Sequence, residues 1–172
     1  MPTYYITTLN FAIPFFITLI AIEIFFSKVY NKDYVIRSMD TLSSLCSGLT
    51  NIVKDVLGLT IIIVSYSLLV DNLAFFKIES SFLVYILAFI GIDFAGYWVH
   101  RINHSINYFW NHHIIHHSSE EFNLACALRQ SISNFFSISF IFLIPTALIG
   151  VPAEVVGVLA PLHLFAQYWY HT

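Results

Sequence analysis

Residues 81–117 read SFLVYILAFIGIDFAGYWVHRINHSINYFWNHHIIHH: an apolar run, 81–99, passes without a break into a stretch, 100–117, that holds six of the chain's eight histidines. A bilayer-spanning helix needs about 20 mostly apolar residues, so 81–99 is long enough to enter a membrane. Neutral imidazole is the commonest protein ligand for transition metals, and this density of it marks a metal site. On a helix continuing out of the apolar run, His100 and His104 are four residues apart and lie on one face. Asp93, seven residues earlier, falls on the same stripe. Its carboxylate is placed either to hold the far nitrogen of a ligating histidine and fix its tautomer, or to neutralise Arg101. His113, His116 and His117 have the i, i+3, i+4 spacing that converges on one helix face, and His112 pairs with His116 at the same step. Two such faces brought together supply five imidazoles, more than one tetrahedral structural zinc needs, which points to two metals. The plainer alternative is a hydrogen-bonded or pH-responsive histidine surface.

The chain around this stretch is 58% hydrophobic and 10% charged over 172 residues, where an ordinary soluble domain carries roughly 25% charged residues. That excludes a typical water-soluble globule, and 17 Phe with 10 Tyr add rings suited to lipid and to the membrane interface. A net charge of -3 without a basic run argues against nucleic acid. Cys46 and Cys126 fit neither a disulfide framework nor a zinc ribbon and read as small buried hydrophobes. The N-terminus has no basic region or small-residue cleavage site before its first apolar run, so it is expected to be a retained helix.

Five segments approach spanning length: 4–26, 56–70, 81–99, 135–151 and 153–170. The expected fold is therefore an all-α membrane protein, a single membrane domain over 1–172, with about five transmembrane or re-entrant helices and a histidine-rich helical segment. If the spans alternate, six of the seven basic residues, all but Lys77, fall on one side together with the histidines, which the positive-inside rule assigns to the cytoplasm. Pro145 should kink the fourth segment or sit where neighbours satisfy the freed carbonyl, and Gly150 and Pro152 mark the turn into the fifth. His163, Gln167 and His171 step by four along that fifth segment. With Asp93 they are the polar groups that hydrocarbon penalises unless they face a protein interior. Arg129 is placed to pair with Glu120 or Glu121, a kind of contact usually worth little. No phosphate-binding or dinucleotide glycine pattern, G-x-S-x-G elbow or H-E-x-x-H helix is present.

These residues resemble the fatty acid hydroxylase and sterol desaturase superfamily, whose pattern is an H-x3-H box after a membrane helix, an H-x2-HH box soon after, and a third histidine box further on. The first box matches His100 and His104 in DFAGYWVHRINH, and the second matches His113, His116 and His117 in WNHHIIHHSSEEFNLACALRQS. The run HHSSEEFNLACALRQS and the later HLFAQYWYHT are nearest the alkylglycerol monooxygenase-like branch, and the recognisable portion is about 85–172. The resemblance implies a non-haem di-iron centre that uses dioxygen to hydroxylate or desaturate a lipid, whether fatty acid, sterol or alkylglycerol. It implies His100, His104, His113, His116, His117 and His171 as ligands of two iron ions, with His163 as a possible further one and Asp93 as an orienting group. Zinc is a possible substitute for iron. Family membership gives His112 no role.

The electron source implied is a reduced pterin or an electron donor protein. The address is the endoplasmic reticulum or a bacterial inner membrane. The third box is expected beyond His171, and the sequence ends at Thr172, so the 172-residue chain by itself is expected to be inactive. The competing readings are a histidine-rich membrane carrier or sensor for zinc and an inactive partner in lipid biosynthesis.

Overall fold

The computed structural model describes residues 3–30, 36–57, 62–132 and 139–169, and among them there is no strand. The α-helices in these residues are α1 (Thr3–Val29), α2 (Ser38–Val56), α3 (Ile62–Leu73), α4 (Phe82–Ser105), α5 (Asn107–His113), α6 (Ser139–Ile149) and α7 (Ala153–Ala166). Short 3-10 turns cover His116–Ser118, Leu124–Leu128 and Gln167–Trp169.

The centre is α4. Its buried residues Val84, Ala88, Ile92 and Ala95 recur at steps of four, four and three, which makes one stripe along the helix. That stripe packs on α6 and α7. The two alanines and Gly91 bring the backbones close: a Cβ on Gly91 would sit 2.2 Å from the Thr146 hydroxyl. Gly150 makes the turn between α6 and α7 at φ 91°, and a Cβ there would lie 1.9 Å from the Phe76 carbonyl oxygen. Only glycine meets both demands. Tyr66 on α3 donates a hydrogen bond to the Val151 carbonyl, 3.0 Å away, and ties α3 to the same turn. A second, smaller cluster joins Phe16 and Ile20 of α1 to Leu124 and Ala125.

Two helices among the described residues, over Thr7–Val29 and Phe82–Ser105, are long and apolar enough to cross a bilayer, while five spans were expected. Parts of the second, fourth and fifth expected segments lie outside the described residues. As described, α3, α6 and α7 have 12, 11 and 14 residues, about 16 to 21 Å of helix against a hydrocarbon core of about 30 Å. α3 and α6 begin where the described residues resume, α7 passes into a 3-10 turn after Ala166, and the turn at Gly150 falls where the sequence placed it.

Hydropathy gave 38–46 no element and let the short second segment borrow from 47–55, yet α2 is one full helix with its polarity reversed. Ser44 is completely buried and Thr41 nearly so, whereas Met39 and Val56 on the other face are 77% and 78% exposed. Burying one aliphatic side chain is worth roughly 1.5–3 kcal/mol. A helix turned this way in water would forgo a sum comparable with the roughly 5–15 kcal/mol stability of a whole domain.

Candidate metal centre

α4 runs on past its apolar stretch and delivers His100 and His104 in its last turns. The chain then becomes extended at Ile106 and restarts as α5, so the second histidine group folds back over the first. One ring nitrogen from each of His100, His104, His113 and His117 lies within 4.8 Å of the others. The Nε2 atoms of His113 and His117 are 3.1 Å apart, and the ring centres of His100 and His104 are 4.5 Å apart. Two nitrogens bound to one ion at about 2.1 Å each are at most about 4.2 Å apart. The quartet needs only small side-chain rotations to close on an ion, and its donors suit zinc, iron or copper. The Trp110 ring covers one side, 5.1 Å from His104 and 5.8 Å from His117 between centres.

Burial, then the neighbouring imidazoles of His100, His116, His117 and His104, push the His113 pKa down to about 3. The ring is therefore neutral at ordinary pH and holds a lone pair for a metal without proton competition.

His116 lies beside this quartet, its ring centre 5.4 Å from that of His113 and 5.2 Å from that of His117. Its Nδ1 is 2.9 Å from the Arg129 carbonyl oxygen. A carbonyl only accepts, so Nδ1 carries the proton and Nε2 is left as the lone-pair nitrogen. Arg129 itself is 6% exposed. Its guanidinium donates to the Asp40 carboxylate at 2.7 Å and the Asp40 carbonyl at 3.0 Å, and to the hydroxyls of Ser44 at 3.2 Å and Ser118 at 3.3 Å. Burial works to raise the Asp40 pKa, but hydrogen bonds from Ser119 and Arg129, the Arg129 charge and the Glu120 N–H outweigh it and hold it below the usual carboxylate range.

The pairing expected between Arg129 and Glu120 or Glu121 is not what forms. Arg37 takes both glutamates, because Asp40 draws Arg129 inward.

The other sequence candidates fall elsewhere. His163, 4% exposed, has Nε2 at 3.1 Å from the Asp93 carboxylate, which is 54% exposed. Asp93 thus meets a histidine of α7 and not the stripe-mates His100 or His104. It lies seven residues before His100, about 10 Å along the helix, so His163 does not join the quartet. Arg101 donates to the Tyr97 hydroxyl at 2.7 Å and lies over the Trp98 ring. His112 packs against Tyr108. His171 and the side chain of Gln167 lie outside the described residues.

A cavity of about 200 Å³ opens beside His116 and His117, lined further by Glu121, Phe122, Cys126 and Tyr168. Phe122 and Tyr168 stack with ring centres 4.9 Å apart. Sequence reading missed Trp110, Asp40, Ser44 and the inward role of Arg129. The available signal was a basic residue in a run, FNLACALRQS, with no acidic neighbour inside it.

The family model described as fatty acid hydroxylase matches residues 85–172. The alkylglycerol monooxygenase of Danio rerio is 37% identical over 164 residues, covering 95% of this chain and 36% of that protein. That of Homo sapiens is 36% identical over 162 residues, covering 94% of this chain and 36% of that protein. That of Caenorhabditis elegans is 33% identical over 93 residues, 54% of this chain and 18% of that protein. The chain spans little more than a third of the length of the first two relatives. No solved structure matches it.

Proposed function

The chain belongs to the fatty acid hydroxylase family, and from that membership we propose that it is a metal-binding part of a multi-pass membrane oxidoreductase that hydroxylates or desaturates a lipid with dioxygen. The observation that carries this is the quartet of His100, His104, His113 and His117 at the end of an apolar helix of spanning length. An alkylglycerol is the favoured substrate because the relatives named above are alkylglycerol monooxygenases.

The proposed ligands are the quartet, then His116, whose Nδ1 is held by the Arg129 carbonyl, then His171. His163 is left to Asp93, and that pair serves to hold α7 against α4. Two iron ions, with zinc as a substitute, would supply from dioxygen and external electrons an oxidant strong enough for an aliphatic C–H bond. The protein's own contributions are neutral imidazoles, a fixed tautomer at His116 and the Trp110 ring excluding water on one side. The cavity between His117 and the Phe122–Tyr168 stack is a place for the reacting part of the lipid. Reduced pterin or an electron donor protein would provide the electrons. The histidines would face the cytoplasm, in the endoplasmic reticulum or a bacterial inner membrane, and 1–172 would be one membrane domain.

The test uses the protein as its gene encodes it, in lipid nanodiscs with iron(II). Metal content should fall on His104→Ala and stay unchanged on His112→Ala. Alkylglycerol oxidation should require iron, oxygen and reductant together. Metal binding with ion uptake into vesicles, and no oxidation under those conditions, would replace this reading with the zinc carrier or sensor.

A further inference from the structure

We propose that the outward face of α2 is a membrane-contact surface, and that the acyl region of a lipid leaflet covers it. The residues concerned are Met39, Leu42, Cys46, Leu49, Val53 and Val56. They recur at steps of three and four along the whole helix, a single stripe, and all are exposed.

The opposite face fixes the rotation of the helix. The Ser44 hydroxyl accepts from Arg129. The Ser47 hydroxyl donates to the Gln130 carbonyl at 2.7 Å and accepts from the Gln130 N–H at 2.9 Å. The Asn51 amide donates to the same carbonyl at 3.2 Å. A Cβ on Gly48 would come within 3.1 Å of Leu128, so the helix lies close on the 124–128 turn. Turning α2 to bury its stripe would strip Arg129 and Gln130 of these partners. The stripe is therefore held outward and needs an apolar covering from beyond the described residues.

Two observations favour lipid over protein. The stripe is aliphatic apart from one thiol and lacks the Tyr, Trp and Arg that concentrate at the centres of protein interfaces. It is also continuous in placement with surfaces that the proposed function gives to lipid. The 124–128 turn that anchors α2 also packs on Phe16 and Ile20 of α1, whose outer face presents Phe11, Phe15 and Phe25 to the surroundings. The inference rests on the membrane reading of α1 and α4. It is independent of the metal and of the reaction.

The protein carries its own probe position, since Cys46, against the expectation of a buried hydrophobe, is exposed on the stripe while Cys126 is buried as expected. A nitroxide on Cys46 in a Cys126→Ser background, with the protein in phosphatidylcholine–phosphatidylglycerol vesicles, reports collisions with oxygen, which enters lipid, and with a water-soluble nickel chelate, which does not. A several-fold excess of oxygen over nickel collisions is expected, and the same from a label at Leu49→Cys. Nickel collisions equal to or above those of oxygen would show water on the stripe, and low values for both would show a protein covering; either overturns the proposal. A parallel label at Phe15→Cys on α1 separates the two failures. Lipid contact there without lipid contact at Cys46 sinks the α2 inference alone, while water at both positions sinks the membrane reading as well. Labelling Cys46 with Cys126 left in place repeats the measurement should Cys126→Ser fail to fold.

Discussion

The histidine quartet and the His163–Asp93 pair use the same side chain on the same central helix system, and their surroundings make them opposites. In the quartet an imidazole meets other imidazoles, with the Nε2 atoms of His113 and His117 3.1 Å apart, and all four members of the group are histidines. At His163 the imidazole meets a carboxylate at 3.1 Å and is satisfied within the protein. A histidine among histidines is poised for a cation from outside, whereas a histidine on a carboxylate has found its partner already. Matching steps of four along the chain do not distinguish the two cases; the neighbour across the helix interface does.

The sharpest way to break this contrast is to remove one member of the quartet. His100→Ala or His104→Ala should weaken metal binding by more than the roughly 10–100-fold that losing an orienting partner costs, read from metal content after dialysis against a graded chelator. Retained affinity would mean the quartet is not where metal binds. Next comes Arg129→Ala, which leaves Asp40 without its buried partner while keeping the backbone carbonyl that faces His116. A loss of about 3–5 kcal/mol in stability is expected for breaking a buried pair, followed by thermal unfolding in detergent, with partial recovery in Arg129→Lys.

Asp93→Asn tests the other half. It should cost about 1 kcal/mol through the weakened hydrogen bond to His163 and leave metal content as in the parent protein. Metal loss on the scale of His104→Ala would merge the pair and the quartet into one site. An acid titration sharpens the role of Asp40. Its pKa is lower in the folded protein, so its contribution is fully present above its unfolded pKa of about 4 and is lost as pH falls through the lower folded value. Stability should drop over that window in the parent protein and drop less in Arg129→Ala. The smallest effect is expected from His112→Ala, within about 0.5 kcal/mol and with no change in metal content.

Much of α4 was legible because its pattern is local. An unbroken apolar run predicts a helix, and four-residue spacing puts His100 and His104 on one face whatever surrounds them. The reversal at Ile106, which folds His113 and His117 back onto that face, had no signature beyond the spacing of the second group. Asp93 was read on the His100 stripe, where helix geometry does place it, but α7 brings a nearer imidazole from 70 positions away. The polar face of α2 was illegible for a related reason. Serine and threonine dilute its hydropathy, and nothing local shows that a buried arginine from 85 positions away needs Ser44.

Composition and helical spacing by themselves determined an all-helical apolar chain with two histidine-bearing helical faces and the family those boxes resemble, because helix formation and side-chain direction depend on residues within a few positions of one another. Tertiary structure alone decided which imidazoles meet, that Arg129 turns inward to Asp40, and that α2 shows its apolar side outward. Each of those depends on contacts between residues far apart in the chain, where the balance among burial, charge and close backbone approach is struck only after the helices pack.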